Sequence, residues 1–497
     1  MTEQAPTKPA ASASGYSLVV KNALFLIVAQ VLTTPLAALV TFAMARYIGP
    51  ADFGRLYLVT TFCSFAFLAV DWGQGNTIAA MVARDRSKSG EILGSGLVWR
   101  ALTAVIVTGG LAVVGLALGH GNDYLELLAL VVLGLILANV GGACQETIRG
   151  FERTDISAYT QVGGQFLTAC VVIVTLFLGG RLHAVLGVQA LCGAIVLAFV
   201  WRTLRPVGVG ALSVSQPRLK ALFSEGLPFV FFGLVMALQP SIDAYFMARL
   251  VPREVVGWHS ATYKLIGFLV MPASAIIRAL YPTLCRLFAE DMEGYKRTTS
   301  SALRMTTVLA VPFALCCALY PHVGISILGT EQFGPATTNI RYLSIFLFLL
   351  YFSMPLGISL LAGGRQRVWS IVQALCIVVS AGLDPLLIPY FQRTAGNGSL
   401  GVCIASIVSE LFMVSFGIVL APKGIFGRAL LRQIGLCMVA GFAMFLVSRG
   451  LGGMHWLVSA PAAGLAYFGA LWLIGGIDKE QVATVRGLVS RKLSRQK

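Results

Sequence analysis

Three charged residues lie inside two apolar stretches that are long enough to cross a bilayer. Asp243 is in the stretch Gly226–Arg249, and Lys264 and Arg278 are in the stretch Gly257–Pro282. About 20 residues cross the hydrocarbon region, and a charge at its centre costs roughly 2.5–3.5 kcal/mol on insertion scales. We therefore expect these side chains to face protein or a water-filled cavity, where they could bind a charged substrate or a coupling ion.

Lys264 and Arg278 are fourteen positions apart in the sequence. On an α-helix this spacing is about 40° short of four whole turns, with a rise of about 21 Å. Both cations then point to the same side at two depths, which suits a mobile anionic group. The alternative is that the two side chains extend to opposite membrane interfaces. The spacing alone leaves both interpretations open.

The composition indicates a polytopic membrane protein with an all-α fold. Of the 497 residues, 57% are hydrophobic and only 12% are charged, which excludes a soluble globular protein. The ten cysteines and five histidines form no metal-binding pattern, so we expect no metal and no other cofactor. Fourteen apolar spans are predicted near residues 24–45, 56–82, 93–118, 125–147, 158–178, 183–201, 222–248, 257–284, 303–328, 337–361, 368–389, 400–421, 431–448 and 456–475.

The loops between these spans alternate in charge. Of the 37 Lys and Arg residues, 27 fall on the side that holds both termini, including Arg84, Arg86, Lys88 and Arg100, and eight fall on the other side. The positive-inside rule therefore predicts that both termini are cytoplasmic. Every loop is short and none could hold a catalytic domain, so we expect no enzymatic activity.

The sequence contains an internal repeat. Met44-Ala45-Arg46, followed by Gly54, recurs 203 residues later as Met247-Ala248-Arg249, followed by Gly257. Two halves of six spans each, related by an axis along the membrane normal, would enclose a central cavity. The predicted division is a cytoplasmic N-terminal tail (1–20), an N-terminal six-helix bundle (21–205), a cytoplasmic linker (206–221), a C-terminal six-helix bundle (222–422), two additional transmembrane helices (423–476) and a basic cytoplasmic tail (477–497), whose apolar and basic pattern predicts an interfacial helix.

Several spans also carry acidic or amide side chains. Asp71, Asp243 and Glu410 are candidates for ion coupling or charge pairing, because a carboxylate in a span can join helices, pair with Lys264 or Arg278, or bind a proton or sodium. Glu146 and Asp384 lie near predicted span ends, where hydration would account for them. Amides and hydroxyls form further stripes, including Thr60, Ser64, Asp71 and Gln74 in the second span and Gln161, Gln165 and Thr168 in the fifth.

An ordered set of motifs runs along the chain: Gly49-Pro50-Ala51-Asp52-Phe53-Gly54, Asp71-Trp72-Gly73, Gly226-Leu227-Pro228, Asp243, Gly257, Pro282, Gly364-Arg365 and Ile388-Pro389. This set resembles the Wzx-type polysaccharide transporters of the multidrug/oligosaccharidyl-lipid/polysaccharide exporter (MOP) superfamily. The resemblance implies two six-helix bundles plus two C-terminal helices and a flippase for undecaprenyl-diphosphate-linked oligosaccharide. It also implies cationic substrate-binding residues at Arg46, Arg55, Lys264 and Arg278, and we add Arg249.

The sequence departs from this family at two positions, His259 in place of the usual Tyr and Asp384 in place of the usual Asn. The resemblance implies a multi-pass protein of the bacterial inner membrane that serves exopolysaccharide, capsule or O-antigen assembly. Expected partners are the lipid-linked oligosaccharide, membrane lipid and a polysaccharide polymerase or other assembly machinery, but no nucleic acid. Two alternatives are a drug/cation antiporter of the same superfamily and a non-enzymatic membrane subunit of a polysaccharide export complex.

Overall fold

The structure is a computed structural model that describes residues 13–117, 121–328 and 331–476. Within these ranges the chain forms sixteen α-helices and two short 3₁₀ helices, Arg86–Lys88 and Glu331–Phe333, with no β-strand. Helices satisfy their own backbone hydrogen bonds, which a lipid environment demands. The α-helices are α1 (Ala13–Ala66), α2 (Leu68–Asp71), α3 (Gln74–Arg84), α4 (Ser89–Ala117), α5 (Asn122–Gly150), α6 (Thr154–Phe177), α7 (Leu182–Val207), α8 (Gln216–Leu250), α9 (Arg253–Glu290), α10 (Met292–Leu319), α11 (Pro321–Leu328), α12 (Ala336–Ala362), α13 (Gln366–Ala395), α14 (Ser399–Leu420), α15 (Arg428–Gly450) and α16 (Trp456–Leu473).

Thirteen helical stretches of the described residues are long and apolar enough to cross a membrane. The first of them, Val28–Asp71, is 44 residues long, and it contains a break at Gly49, where φ is 79°. At about 1.5 Å per residue it would extend about 66 Å, more than twice the hydrocarbon thickness, so it is long enough for two crossings. The prediction of an all-α polytopic fold with about fourteen spans is confirmed.

The second predicted span, residues 56–82, is not a single helix. Trp72 and Gly73 both adopt left-handed backbone conformations, with φ of 48° and 67°, and they separate α2 from α3. A left-handed residue cannot continue a right-handed helix. The predicted stripe that joined Thr60 and Ser64 to residues 71 and 74 therefore does not lie on one continuous helix.

The described residues divide into two compact units. The first comprises the chain up to Ile48 together with Arg55–Ser241, and the second comprises Gly49–Gly54 and the chain from Ile242 onward. The predicted bundles, linker and tails stay predictions. Residues 1–12 of the N-terminal tail and the whole of 477–497, with its predicted interfacial helix, lie outside the described residues.

In the first unit, the Asp71-Trp72-Gly73 motif contacts the Gly226 motif. A Cβ on Gly73 would lie 2.5 Å from the Gly226 carbonyl oxygen, and a Cβ on Gly226 would lie 2.1 Å from that of Trp72. The Trp72 ring stacks on Phe223, with 4.8 Å between ring centroids, and its Nε1 donates to the Phe223 carbonyl oxygen at 3.0 Å. Glycine is needed at both positions because the two backbones touch.

In the second unit, the Gly49–Gly54 segment packs on the start of α9. A Cβ on Gly54 would lie 2.2 Å from the Arg253 carbonyl oxygen, and a Cβ on Gly257 would lie 1.9 Å from that of Pro50. The Phe53 ring is buried and meets Phe333 edge to face. The two glycines of the sequence repeat are therefore a contact pair, since each allows the other's backbone to approach.

Helix α9 carries Lys264 and continues through Pro272. Proline has no backbone N–H and disturbs the preceding turn of a helix. The buried Tyr351 of α12 donates its hydroxyl to the Leu269 carbonyl oxygen at 2.5 Å, within that turn. Neighbouring side chains such as Ile266 and Leu343 belong to the same apolar cluster, which holds this part of α9 in place.

Candidate substrate and ion sites

Lys264 lies half-buried in α9, beside an aromatic ring rather than an acid. Its Nζ is 4.7 Å from the centroid of the Phe53 ring, which is 1% exposed. A cation over an aromatic face gains about 0.5–2 kcal/mol, but the ring does not neutralise the charge. Within the described part of the chain, no carboxylate forms an ion pair with this ammonium group. Lys264 therefore keeps a positive charge available to an anion.

Arg278 and Arg249, the other two candidate cations of the second unit, are both exposed. Arg278 shares α9 with Lys264, and neither arginine forms an ion pair with another described residue. The Arg249 guanidinium lies 5.0 Å from the centroid of the Tyr245 ring. Because α9 is continuous, the fourteen-residue spacing of Lys264 and Arg278 can be converted into an angle and a rise along one helix. Both interpretations of that pair remain open.

Arg46 and Arg55, the candidate cations of the first unit, lie on either side of the Gly49–Gly54 segment. Arg46 is exposed near the break in α1, and Arg55 is half-buried just after it. For Arg46, no ion pair with another described residue is present.

Asp71 is paired with an arginine that the sequence analysis placed in a loop. Arg100 Nη2 donates to Asp71 Oδ1 at 2.8 Å, and its Nη1 donates to the Asn139 carbonyl oxygen at 2.5 Å. The Arg100 side chain is 2% exposed and that of Asp71 is 41% exposed. Counting Arg100 among the loop cations was wrong, because α4 begins at Ser89 and places this residue three turns inside the helix.

Asp243 and Asp384 form a buried pair of carboxyl groups in the second unit. They lie 5% and 0% exposed on α8 and α13, and the two groups are close enough to interact directly. Ser380, one turn before Asp384, has its Oγ 3.5 Å from Asp243 Oδ1. Both Asp384 carboxyl oxygens lack a hydrogen-bond donor among the described residues. Buried like charges repel, so a proton or a small cation between them would stabilise the pair.

Assigning Asp384 to a hydrated span end was wrong. The predicted span ended at residue 389, but α13 continues through Pro385 and Pro389 as far as Ala395. Asp384 is therefore about three turns from the end of the helix and is fully buried. The departure from Asn at this position places a second carboxyl group beside Asp243.

Glu410 of α14 is 7% exposed and accepts a short hydrogen bond from the Ser353 hydroxyl of α12. Because this bond joins two helices, it favours the interpretation of Glu410 as a helix-joining group, although the carboxyl group keeps further acceptor capacity. A buried carboxyl group without a cationic partner can also bind a proton.

Two of these contributors, Arg100 and Asp384, have other positions than the sequence predicted. Arg100 and Asp384 were assigned by their distance from the ends of apolar runs, and both helices extend beyond those ends. The predicted span 93–118 already contains Arg100, so its position within that span was the signal that could have identified it as a helix residue. No sequence signal identified Asn139 or Ser380 as the neighbouring partners.

The fold is that of transporters of the MOP superfamily. It is similar to the "Lipid II flippase MurJ, inward closed conformation", with a TM-score of 0.65 and 12% identity over 92% of this chain and 98% of that one. It is also similar to an inward-facing multidrug resistance MATE family transporter, with a TM-score of 0.60 and 15% identity over 79% of this chain and 97% of the other. A MOP superfamily transporter from Pyrococcus furiosus, described as having a binding pocket of reverse polarity, gives a TM-score of 0.56 at 15% identity over 80% of this chain and 95% of its own.

The family is shown by sequence. A family profile described as "Polysaccharide biosynthesis protein" matches residues 19–288, more than half of the chain. The chain therefore belongs to this polysaccharide biosynthesis family, and it is a multi-pass membrane protein. No curated protein matches the chain.

Proposed function

We propose that this protein is a flippase that moves undecaprenyl-diphosphate-linked oligosaccharide repeat units across the bacterial inner membrane by alternating access. The observation that carries the proposal is Lys264, a half-buried cation in a membrane-spanning helix that forms no ion pair with a described carboxylate. Such a charge is costly unless a ligand or water compensates it. In a chain of a polysaccharide biosynthesis family, an anionic lipid-linked glycan is the ligand that fits.

A diphosphate group matches the chemistry of the candidate cations. It carries about two negative charges, and Lys and Arg bind phosphate oxygens through charge-assisted hydrogen bonds. Two of the cations proposed to contact it lie over an aromatic ring, two others form no ion pair with a described residue, and the fifth, Arg55, is half-buried. The set is Arg46, Arg55, Arg249, Lys264 and Arg278.

Asp243 and Asp384 would couple transport to a cation gradient. Two carboxyl groups and the Ser380 hydroxyl offer oxygen ligands to a proton or to sodium. Loading and release of that cation would bias the second unit between two states, because only one state would hold the carboxyl groups in contact. Asp71 and Glu410 are proposed to support the fold, since each already has a hydrogen-bonding partner.

The alternation of loop charge supports an orientation with both termini in the cytoplasm, which is where lipid-linked repeat units would be loaded. The product would then pass to a polysaccharide polymerase or other assembly machinery for exopolysaccharide, capsule or O-antigen. The glycan itself would not be altered, so no catalytic residue is assigned.

The test is a strain that lacks this gene, complemented with wild-type protein, Lys264→Ala, Lys264→Arg, Arg278→Ala or Lys296→Ala. Lys296 is the matched control because its charge is already paired with Glu293 at 2.7 Å. We expect complete lipid-linked repeat units to accumulate and surface polymer to be lost without the gene and with Lys264→Ala, but not with Lys296→Ala. Lys264→Arg keeps the charge and should restore part of the output.

Two other outcomes would contradict the proposal. Unchanged lipid-linked glycans together with heightened sensitivity to cationic drugs would identify a drug/cation antiporter. Normal repeat-unit flipping together with failed polymerisation would identify a non-enzymatic subunit of an export complex. Normal polymer output from Lys264→Ala and Arg278→Ala, at unchanged protein level, would remove both residues from the substrate site.

A further inference from the structure

The first unit contains a cavity of about 490 Å³. Its walls come from α5, α6 and α7, with Thr60 of α1 at one side. The volume falls within the roughly 300–1,000 Å³ of small-molecule sites. None of the described residues that line it is charged or aromatic. The cavity is therefore chemically distinct from the cationic residues assigned to the diphosphate.

Four glutamine side chains give this cavity its polarity. Gln145, Gln161 and Gln165 are half-buried, and their amide groups have no hydrogen-bond partner among the described residues. Gln189 has only a weak contact, with its Nε2 3.6 Å from the sulfur of Met44. Each amide offers two N–H donors and one carbonyl acceptor. A partly buried amide without a partner is unfavourable, so these groups call for a hydroxyl-rich ligand or water.

Three glycines of α5 keep the cavity open. A Cβ added at Gly134, Gly141 or Gly142 would meet no atom within 4 Å, although Gly141 is buried. Glycine is needed at Gly73 because another backbone touches it, whereas at these three positions its small size leaves space inside the unit. Glycine in a helix interior costs about 0.5–1 kcal/mol relative to alanine, so the open space is maintained at some cost.

We propose that this cavity binds an uncharged sugar residue of the transported oligosaccharide, through hydrogen bonds from Gln145, Gln161 and Gln165. The inference rests on the proposed function and names the part of the substrate that the first unit recognises. Adjacent sugar hydroxyls both donate and accept, as does an N-acetyl group, and so they match amides that do the same.

Other ligand classes fit this cavity less well. An acidic or amino sugar would find no opposite charge among the lining residues. A flat aromatic drug would find no ring to stack on, and an aliphatic ligand would leave three amides without partners. Because the described lining residues offer no aromatic platform, binding should depend on hydrogen bonds and should be weak, as release after translocation requires.

The test is saturation-transfer NMR on the purified full-length protein with methyl glucoside, methyl N-acetylglucosaminide and methyl glucuronide as probes. We expect a signal from at least one of the two uncharged glycosides and at least threefold less from the glucuronide. Gly141→Leu, which fills the cavity, and the double variant Gln161→Leu/Gln165→Leu should each reduce the uncharged-sugar signal at least threefold, because hydrogen bonds to uncharged partners contribute factors of this order.

Matched controls separate recognition from folding. Gly109→Leu adds the same side chain at an exposed glycine of α4 that also has open space, and Gln30→Leu removes an exposed amide of α1. Both should keep the wild-type signal. Absence of a signal from both uncharged glycosides, an equal signal from the glucuronide, or signals unchanged by Gly141→Leu and by the double variant would each overturn the inference.

A second measurement keeps this inference apart from the proposed function. Binding of undecaprenyl diphosphate without sugar, measured by native mass spectrometry, should be lost in Lys264→Ala and retained in Gly141→Leu. If the bare lipid binds but the uncharged glycosides do not, the sugar cavity is refuted and the flippase stands. If the glycosides bind but the bare lipid does not, the flippase proposal fails instead.

Discussion

Asp71 in the first unit and Asp243 in the second are carboxyl groups of membrane-spanning helices that have different neighbours. In the first unit, Asp71 is paired with Arg100, and the described residues that line the cavity are uncharged. In the second unit, the buried Asp243 and Asp384 carboxyl groups interact with each other, and Lys264 contacts an aromatic ring. A membrane-embedded charge with an opposite partner is already compensated, whereas one without such a partner favours the state in which a ligand compensates it. We infer that the first unit recognises the sugar of the substrate and that the second unit changes state when an anion or a coupling cation binds.

The largest expected effect on stability is in the first unit. Arg100→Met would leave Asp71 without its cation and the Asn139 carbonyl oxygen without its donor, so the free energy of unfolding should fall by about 3 kcal/mol. The double variant Arg100→Met/Asp71→Leu should recover most of that loss, because no unpaired charge remains. Thermal unfolding of the purified protein measures both. A single variant as stable as the wild type would show that the ion pair does not hold the unit together.

Lys264→Met should reduce function without reducing stability. The substitution removes an unpaired cation, so the melting temperature should be unchanged or higher. Surface polymer output should fall about 10- to 100-fold, since a charge-assisted contact to phosphate contributes about 1.5–3 kcal/mol. Output and melting temperature are measured on the same variant. A large loss of stability with unchanged output would mean that Lys264 has a structural role, as Arg100 does in the first unit.

Asp384→Asn should raise stability by about 1 kcal/mol in sodium-free buffer, because an amide beside Asp243 replaces a repelling carboxylate with a donor. The same change should remove any stabilisation of the wild type by sodium or by lower pH. Asp71→Asn is the contrasting variant and should lower stability, since it weakens a favourable pair. A destabilised Asp384→Asn would show that the two carboxyl groups are held together by something other than a shared cation.

The smallest effect on stability should come from an exposed ion pair of the second unit. Lys296 pairs with Glu293 one helical turn away, and the Glu293 side chain is 71% exposed. Lys296→Gln should change the free energy of unfolding by no more than about 0.5 kcal/mol. A larger change would mean that even exposed charges of this unit are coupled to its conformation.

The helices were predictable because bilayer thickness and backbone hydrogen bonding leave few alternatives for long apolar runs. The break near Gly49 was also expected, since it separates the first two predicted spans. The break at Trp72 and Gly73 was not expected, because the reason for a left-handed glycine there is its contact with Gly226, which is distant in sequence. The local sequence predicts the helix, but it does not predict which distant backbone segment packs against it.

The candidate site was predictable only in part. Hydropathy identified Asp243 and Lys264 as charges in apolar surroundings, and the polar stripe of Gln161, Gln165 and Thr168 does line a cavity. Their neighbours come from other helices, as Asp384 does for Asp243 and Gln145 does for Gln161. Such pairings depend on the rotation of each helix about its axis, which one sequence does not specify.

The packing of Gly49–Gly54 on the start of α9 also has a consequence for biosynthesis. Gly54 and Gly257 are about 200 positions apart, and at roughly 5–20 residues per second a ribosome needs about 10–40 s to make the intervening chain. During that time the apolar Phe53 ring lacks its partner Phe333. The Gly49–Gly54 segment can therefore reach its final packing only after translation has produced the start of α9.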